Sequence, residues 1–120
     1  MSLKRFIQSF GFAIKGLKTV WQQELNFKIQ VLSAILVTAL GFVLDIRPVE
    51  WLVQCLVIAL VLSLELVNTS IESLCDHLHP DIHPQIARVK DLAAAAVFVA
   101  SLGALCVAAI IYVPKVLQIV

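Results

Sequence analysis

Four residues of one segment form the chain's most chemically capable pattern. Glu65, Asn68, Glu72 and Asp76 stand at i, i+3, i+7 and i+11. At ~100° per residue they fall within an arc of roughly 80° on one helix face. Three acids and an amide then share one stripe. Such a stripe can hold a hard divalent cation, meet phosphate oxygens through that cation, or take a proton from a hydroxyl.

Where the stripe sits sharpens this reading. Trp51 to Leu64 is a run of 14 uncharged residues, then comes Glu65, and the next uncharged stretch lasts to Ile71. A membrane-spanning helix needs about 20 mostly apolar residues, so this segment spans only if Glu65 lies in or near the hydrocarbon. An acid at mid-span costs about 2.5–3.5 kcal/mol on the insertion scale. The stripe must therefore face a partner, a cation or a water-filled groove.

Two other runs are long enough to flank it. Ile29 to Leu44 has 16 uncharged residues and reaches spanning length with Phe27 and a snorkelling Lys28. Leu92 to Pro114 has 23 and spans alone. We expect spans at about 27–45, 50–75 and 88–114, joined by short antiparallel connections at Asp45–Glu50 and His77–Gln85. Ahead of them, Leu3, Phe6, Ile7, Phe10, Ile14, Leu17 and Trp21 recur at steps of three and four, with Lys4, Lys15 and Lys18 opposite. That pattern predicts an amphipathic helix at about 3–22, lying on an anionic leaflet. It is not an n-region followed by an apolar h-region, so no secretory signal is expected.

Composition agrees. Of 120 residues, 61% are hydrophobic and 14% charged, where soluble domains run about 45–50% and 25%. An all-α membrane protein of one domain, 1–120, is the expected class. Disorder, a DNA-binding domain and a disulfide scaffold are excluded, and no partner nucleic acid is expected. Cys55, Cys75 and Cys106 are odd in number and far apart, which suits buried small hydrophobes. Ala96, Ala100, Ala104 and Ala108 recur every four residues and predict close helix packing.

Orientation follows from the cations. Lys4, Arg5, Lys15, Lys18, Lys28, Arg88 and Lys90 fall on one side, Arg47 and Lys115 on the other. The N-terminus and the 77–91 loop are thus expected in the cytoplasm. Counting from Trp51, Glu65 lies ~21 Å along the helix, about a third of the way in from the cytoplasmic side of a ~30 Å core. Glu72 is ~10 Å further on, at the interface. Glu24, Lys90 and Asp91 fall at about the same level. Glu24 and Glu72 could hold Mg²⁺, Lys90 could meet a phosphate, and Glu65 could act as base on a lipid-embedded hydroxyl. Structural ion pairs and proton transport through Glu65 fit the spacing as well. The four glycines, Gly11, Gly16, Gly41 and Gly103, build no phosphate-cradling loop. His77, His79 and His83 predict a polar turn rather than a metal site.

Glu65-Leu66-Val67-Asn68-Thr69-Ser70-Ile71-Glu72, with Asp76, resembles the E-x-x-N-[ST]-[SA]-x-E-x-x-x-D pattern of the prokaryotic diacylglycerol kinase family. Ala87 to Val97 is similar to its A-K-D-x-x-[AS]-A-A-V segment, and Lys15-Gly16-Leu17, Trp21, Glu24 and Phe27 to its N-terminal region. The resemblance implies a small homotrimeric membrane kinase of the bacterial inner membrane, with a surface helix, three spans per chain and active sites shared between subunits. It implies Mg²⁺ as cofactor, ATP as donor and a membrane lipid hydroxyl as acceptor. Glu65 is then the base, and Glu24 and Glu72 the metal ligands. Arg5, Phe12, Glu24, Asn68, Glu72, Asp76, Lys90 and Asp91 would meet ATP. Arg5, Ala13, Lys18, Trp21, Gln30 and Glu65 would meet the lipid.

Within the family this chain departs from one branch. Ala13 replaces a serine, Gln30 a glutamate and Cys75 an aliphatic residue. Glu24-Leu25-Asn26-Phe27, Glu50-Trp51, Leu64-Glu65-Leu66 and His83-Pro84 resemble a second branch, whose substrate is the polyprenol undecaprenol. The resemblance therefore implies undecaprenol ahead of diacylglycerol. A small proton-coupled transporter is the alternative, but the half from Trp51 to Leu64 offers only Gln54, Cys55 and Ser63 as polar groups, too few for a through-path.

Overall fold

The structure is a computed structural model that describes residues 2–120. Among the described residues there are four helices and no strand. They are α1 (Leu3–Gln23), α2 (Leu25–Val43), α3 (Pro48–Leu78) and α4 (Pro84–Ile119). The last three are long and apolar enough to cross a membrane. Large apolar side chains such as Leu32, Leu36, Leu56, Phe98 and Leu105 stay exposed on the single chain. Helices apolar all round need hydrocarbon or another helix about them.

Local chemistry sets the boundaries. Ser2 caps α1, its Oγ accepting from the Arg5 N–H at 3.2 Å. Glu24 alone separates α1 from α2, in an extended conformation with φ −115° and ψ 109°. Prolines at the first turns of α3 and α4 lose no helical bond there, since those N–H groups have no partner in the helix. His83 caps α4, its Nδ1 accepting from the Gln85 N–H at 3.1 Å. The α3–α4 connection is thus only His79 to His83, with His79 Nδ1 3.0 Å from the Asp81 carbonyl and the two imidazoles 4.9 Å apart. α4 runs through Pro114 to Ile119, so one backbone bond is missing near that end.

The α2–α3 turn is the tightest piece. Asp45 is left-handed, with φ 52°. The Ile46 N–H returns to the Gly41 carbonyl at 3.1 Å, the six-to-one bond of a Schellman ending. Ile46 then buries against Ile111 and Tyr112, with Trp51 and Val37 beside them. Gly41 lets Trp51 approach, because a Cβ there would lie 2.7 Å from Trp51 Cη2 and 2.9 Å from Cζ2. Both atoms belong to a rigid ring, so Gly41→Ala should destabilise the protein by about 1–3 kcal/mol. Unfolding in a dodecyl sulfate titration measures this, and an unchanged midpoint would refute the close approach.

Polar bonds close the same end. Glu50 accepts from the Arg47 N–H at 2.9 Å and pairs with Lys115 Nζ at 3.1 Å and Arg47 Nε at 3.4 Å. The first turn of α3 is thereby tied to the last turns of α4. Deeper in, the Tyr112 hydroxyl lies 2.8 Å from the Val37 carbonyl and 2.6 Å from Gln54 Oε1. A phenol has one proton and cannot donate to both. Donation of that proton to Gln54 Oε1, with Gln54 Nε2 donating to the Val37 carbonyl at 3.4 Å, satisfies all three groups. This knot joins α2, α3 and α4. Elsewhere α3 packs mainly on α4, while α2 lies more loosely against α3 and α1 touches α2.

Candidate active site

The acid stripe of α3 faces the other helices, as the cost of charge in hydrocarbon demands. Glu65 is 3% exposed and Asn68 8%. Across from Glu65, α2 presents Gln30, whose Nε2 donates to Glu65 Oε2 at 3.2 Å. The other end of that amide, Oε1, is buried and has no partner. One turn further along α3, Asn68 Nδ2 donates to Glu72 Oε1 at 3.2 Å. Asn68 Oδ1 is buried and unpaired. Beyond that, Asp76 Oδ1 takes Lys90 Nζ at 2.7 Å, joining α3 to α4. That pair is open, with side chains 36% and 66% exposed. Water screens it, which leaves Lys90 available to an incoming anion.

Glu24 approaches from the α1–α2 joint. Its side chain is half-buried and caps no helix N–H. Along α3 toward the connecting loop, the order is Glu65 with Gln30, then Asn68 with Glu72, then Asp76 with Lys90.

The donor set suits one kind of cation. Among the described residues, Glu72 accepts a single side-chain N–H and Glu24 caps no helix, so lone pairs are free on both carboxylates. Among the described residues, no three His, Cys, Asp or Glu side chains gather to enclose an ion. An ion there would complete its shell with water and phosphate oxygens. Mg²⁺ binds in that manner, through one or two carboxylates plus a nucleotide. In the connecting loop, His79 Nδ1 meets the Asp81 carbonyl and His83 Nδ1 accepts from the Gln85 N–H.

The residues of α1 do not converge on the stripe as one group. Ala13 lines a crevice of about 550 Å³ between α1 and α3, opposite Thr69 and Ser70. Thr69 Oγ1 is buried there without a partner. Lys18 and Trp21 line a separate hollow of about 310 Å³ with Phe27, where Lys28 Nζ stands 5.8 Å from the Trp21 ring centre. Arg5, Phe12 and Asp91 are exposed. Among the described residues, no hydrogen bond or ion pair links the Arg5 side chain to the stripe.

Two features escape sequence reading. Gln30 is expected there as a lipid contact, whereas the structure makes it the direct partner of Glu65. Thr69 gives only the weak signal of standing four residues after Glu65.

Comparison with known proteins accords with this geometry. The family model for prokaryotic diacylglycerol kinase matches residues 11–112. The chain is 34% identical to the undecaprenol kinase of Bacillus subtilis over 113 residues, covering 94% of this chain and 92% of that one. It is 29% identical to the diacylglycerol kinase of Haemophilus influenzae over 110 residues, covering 92% and 90%. The diacylglycerol kinase of Pseudomonas aeruginosa is 32% identical over 98 residues, covering 82% and 80%. The matched span takes in the whole stripe, with Gln30 and Lys90, all of α2 and α3, and α4 as far as Tyr112. This multi-pass membrane protein therefore belongs to the prokaryotic diacylglycerol kinase family.

Proposed function

We propose that the protein is an ATP- and Mg²⁺-dependent lipid kinase of the bacterial inner membrane that phosphorylates undecaprenol ahead of diacylglycerol. The observation that carries this reading is Glu65: a carboxylate 3% exposed within a membrane-crossing helix, held by one amide and followed by further acids toward the helix end. Similarity to an undecaprenol kinase across almost the whole chain supports the choice of acceptor.

Glu65 takes the proton of the lipid hydroxyl as its oxygen attacks the γ-phosphorus and ADP leaves. Gln30 fixes the carboxylate through Oε2, leaving Oε1 for the hydroxyl. Asn68 steadies Glu72, and Glu24 and Glu72 would hold the cation. When bound, Mg²⁺ neutralises charge on the phosphate oxygens. Asp76 keeps Lys90 beside the stripe until phosphate competes for it. Positioning and electrostatics carry most of such an acceleration.

On this reading α1 lies as an amphipathic helix on the cytoplasmic leaflet, its Leu3, Phe6, Phe10 and Ile14 side chains exposed to lipid. The N-terminus and the 79–83 loop lie on the same side. The active unit is a homotrimer with shared sites. The unpaired buried atoms of Asn68 and Thr69, and the exposure of Arg5 and Phe12, leave places for a neighbouring chain to fill.

The test is transfer from γ-labelled ATP with Mg²⁺ in mixed micelles, offering undecaprenol and diacylglycerol separately and in competition. Labelled undecaprenyl phosphate as main product is expected. Labelled phosphatidic acid as main product would reverse the acceptor. No labelled lipid from folded oligomer would end the kinase reading.

A further inference from the structure

Between α2, α3 and α4 runs an apolar crevice of about 280 Å³ that the reaction scheme leaves unused. Its walls include Ala34 of α2, Val57 and Val61 of α3, and Ala104 and Ala108 of α4. Gln30 stands at one end, touching Glu65, and Gln54 at the other. Beyond Gln54 the Tyr112 knot ties the three helices together.

The shape selects the occupant. On α3 the lining runs from Gln54 to Leu62, which is ~12 Å of height. A narrow apolar volume of that height suits a single hydrocarbon chain. An empty 150 Å³ cavity takes a benzene, so about 25 Å³ serves each carbon and the crevice holds about eleven carbons.

Polarity agrees. Ser33 Oγ is spent on the Ile29 carbonyl at 2.8 Å, and the Gln54 amide on Tyr112 and Val37. Among the described residues, Gln30 Oε1 is the one lining atom that is buried without a partner. Ser101 adds one more hydroxyl to the lining, so an occupant is apolar along most of its length and places a polar group at the Glu65 end. A lipid alcohol entering tail first has that form. Ala104 and Ala108, ~6 Å apart along α4, leave notches close to the spacing of successive methyl branches on an isoprenoid.

We infer that this crevice seats the first two isoprene units of a polyprenol, with its hydroxyl at the Gln30 end donating its one proton to Glu65 and the rest of the tail in the bilayer. The inference rests on the lipid-kinase reading and adds a rule of chain length to it. Each unit inside the crevice trades loose lipid contacts for fixed protein ones, and each later unit trades nothing.

Dimethylallyl alcohol, geraniol, farnesol, geranylgeraniol and undecaprenol are offered to the full-length protein in mixed micelles. We expect kcat/KM to rise about threefold per added unit until the crevice is full at geraniol or farnesol, then to stay level. Ala104→Phe should erase the gain from geraniol onward. A farnesol carrying a diazirine on its second unit should label α3 between Gln54 and Val61 and α4 between Ala104 and Ala108. A steady climb to undecaprenol, or label spread over outward faces, would overturn the crevice and leave the kinase reading intact. Transfer to no alcohol, with label confined to the crevice, would do the reverse. If Ala104→Phe instead dissolves the oligomer and slows every alcohol alike, the crevice belongs to a second copy of the chain and the inference is wrong.

Discussion

Glu65→Gln should lower turnover by about two to four orders of magnitude, the share that a positioned general base supplies, and leave the protein folded. The substitution keeps the shape of the side chain. Its carbonyl oxygen can still accept the Gln30 amide that now sits 3.2 Å from Oε2. What it loses is the ability to take a proton. An ionisable group also leaves a membrane-crossing helix, so stability should hold or rise. Glu65→Ala makes the useful contrast: it strands the Gln30 amide and should cost about 1–3 kcal/mol besides the activity. Phosphate transfer and dodecyl sulfate unfolding, measured on the same preparations, separate the two effects. A Glu65→Gln protein that kept more than roughly a tenth of the rate would not be using Glu65 as its base.

Glu72→Gln and Glu24→Gln should each raise the Mg²⁺ concentration for half-maximal activity by about tenfold or more and also lower the maximal rate. In Glu72→Gln the hydrogen bond from Asn68 survives, because an amide carbonyl accepts as a carboxylate does. The loss is then one of charge at the cation. Glu24 bonds no helix N–H, so its replacement should leave the α1–α2 joint as it is. Titrating MgCl₂ at saturating ATP reads both shifts. A normal midpoint in either variant would remove that residue from the ligand set. Asp76→Asn is a suitable comparison, since it loosens Lys90 without touching either carboxylate.

The three crossing helices could be read from the uncharged runs because charge in hydrocarbon is costly enough to leave a plain trace. The stripe was readable for a related reason. Glu65, Asn68 and Glu72 lie on one helix, where spacing alone decides which side chains share a face. Pairing between helices obeys no such rule. Gln30 and Glu65 are 35 residues apart, and Tyr112 and Val37 are 75 apart. Their meeting depends on the angle and rotation of whole helices. A hint did exist at Gln54, a lone amide in an apolar run that had to find partners somewhere. The approach of Trp51 to Gly41 was similarly hidden, since a helical glycine reads first as a weak spot and only in three dimensions as a clearance.

The length of α3 bears on the membrane around it. Its 31 residues extend ~46 Å, about 16 Å more than a ~30 Å hydrocarbon core. The charges of Arg47, Glu50 and Lys115 hold one end at the headgroups. The surplus that tilt does not absorb then emerges at the other end, which carries Glu72 and Asp76. Hydrocarbon thickness then sets which rung of the stripe stands at the waterline. A thicker bilayer would draw the cation ligands toward oil, and a thinner one would wet Glu65. Reconstituted in phosphatidylcholines of graded acyl length, the protein should be fastest at one thickness and slower on both sides. It would act as a gauge of the bilayer whose lipids it modifies.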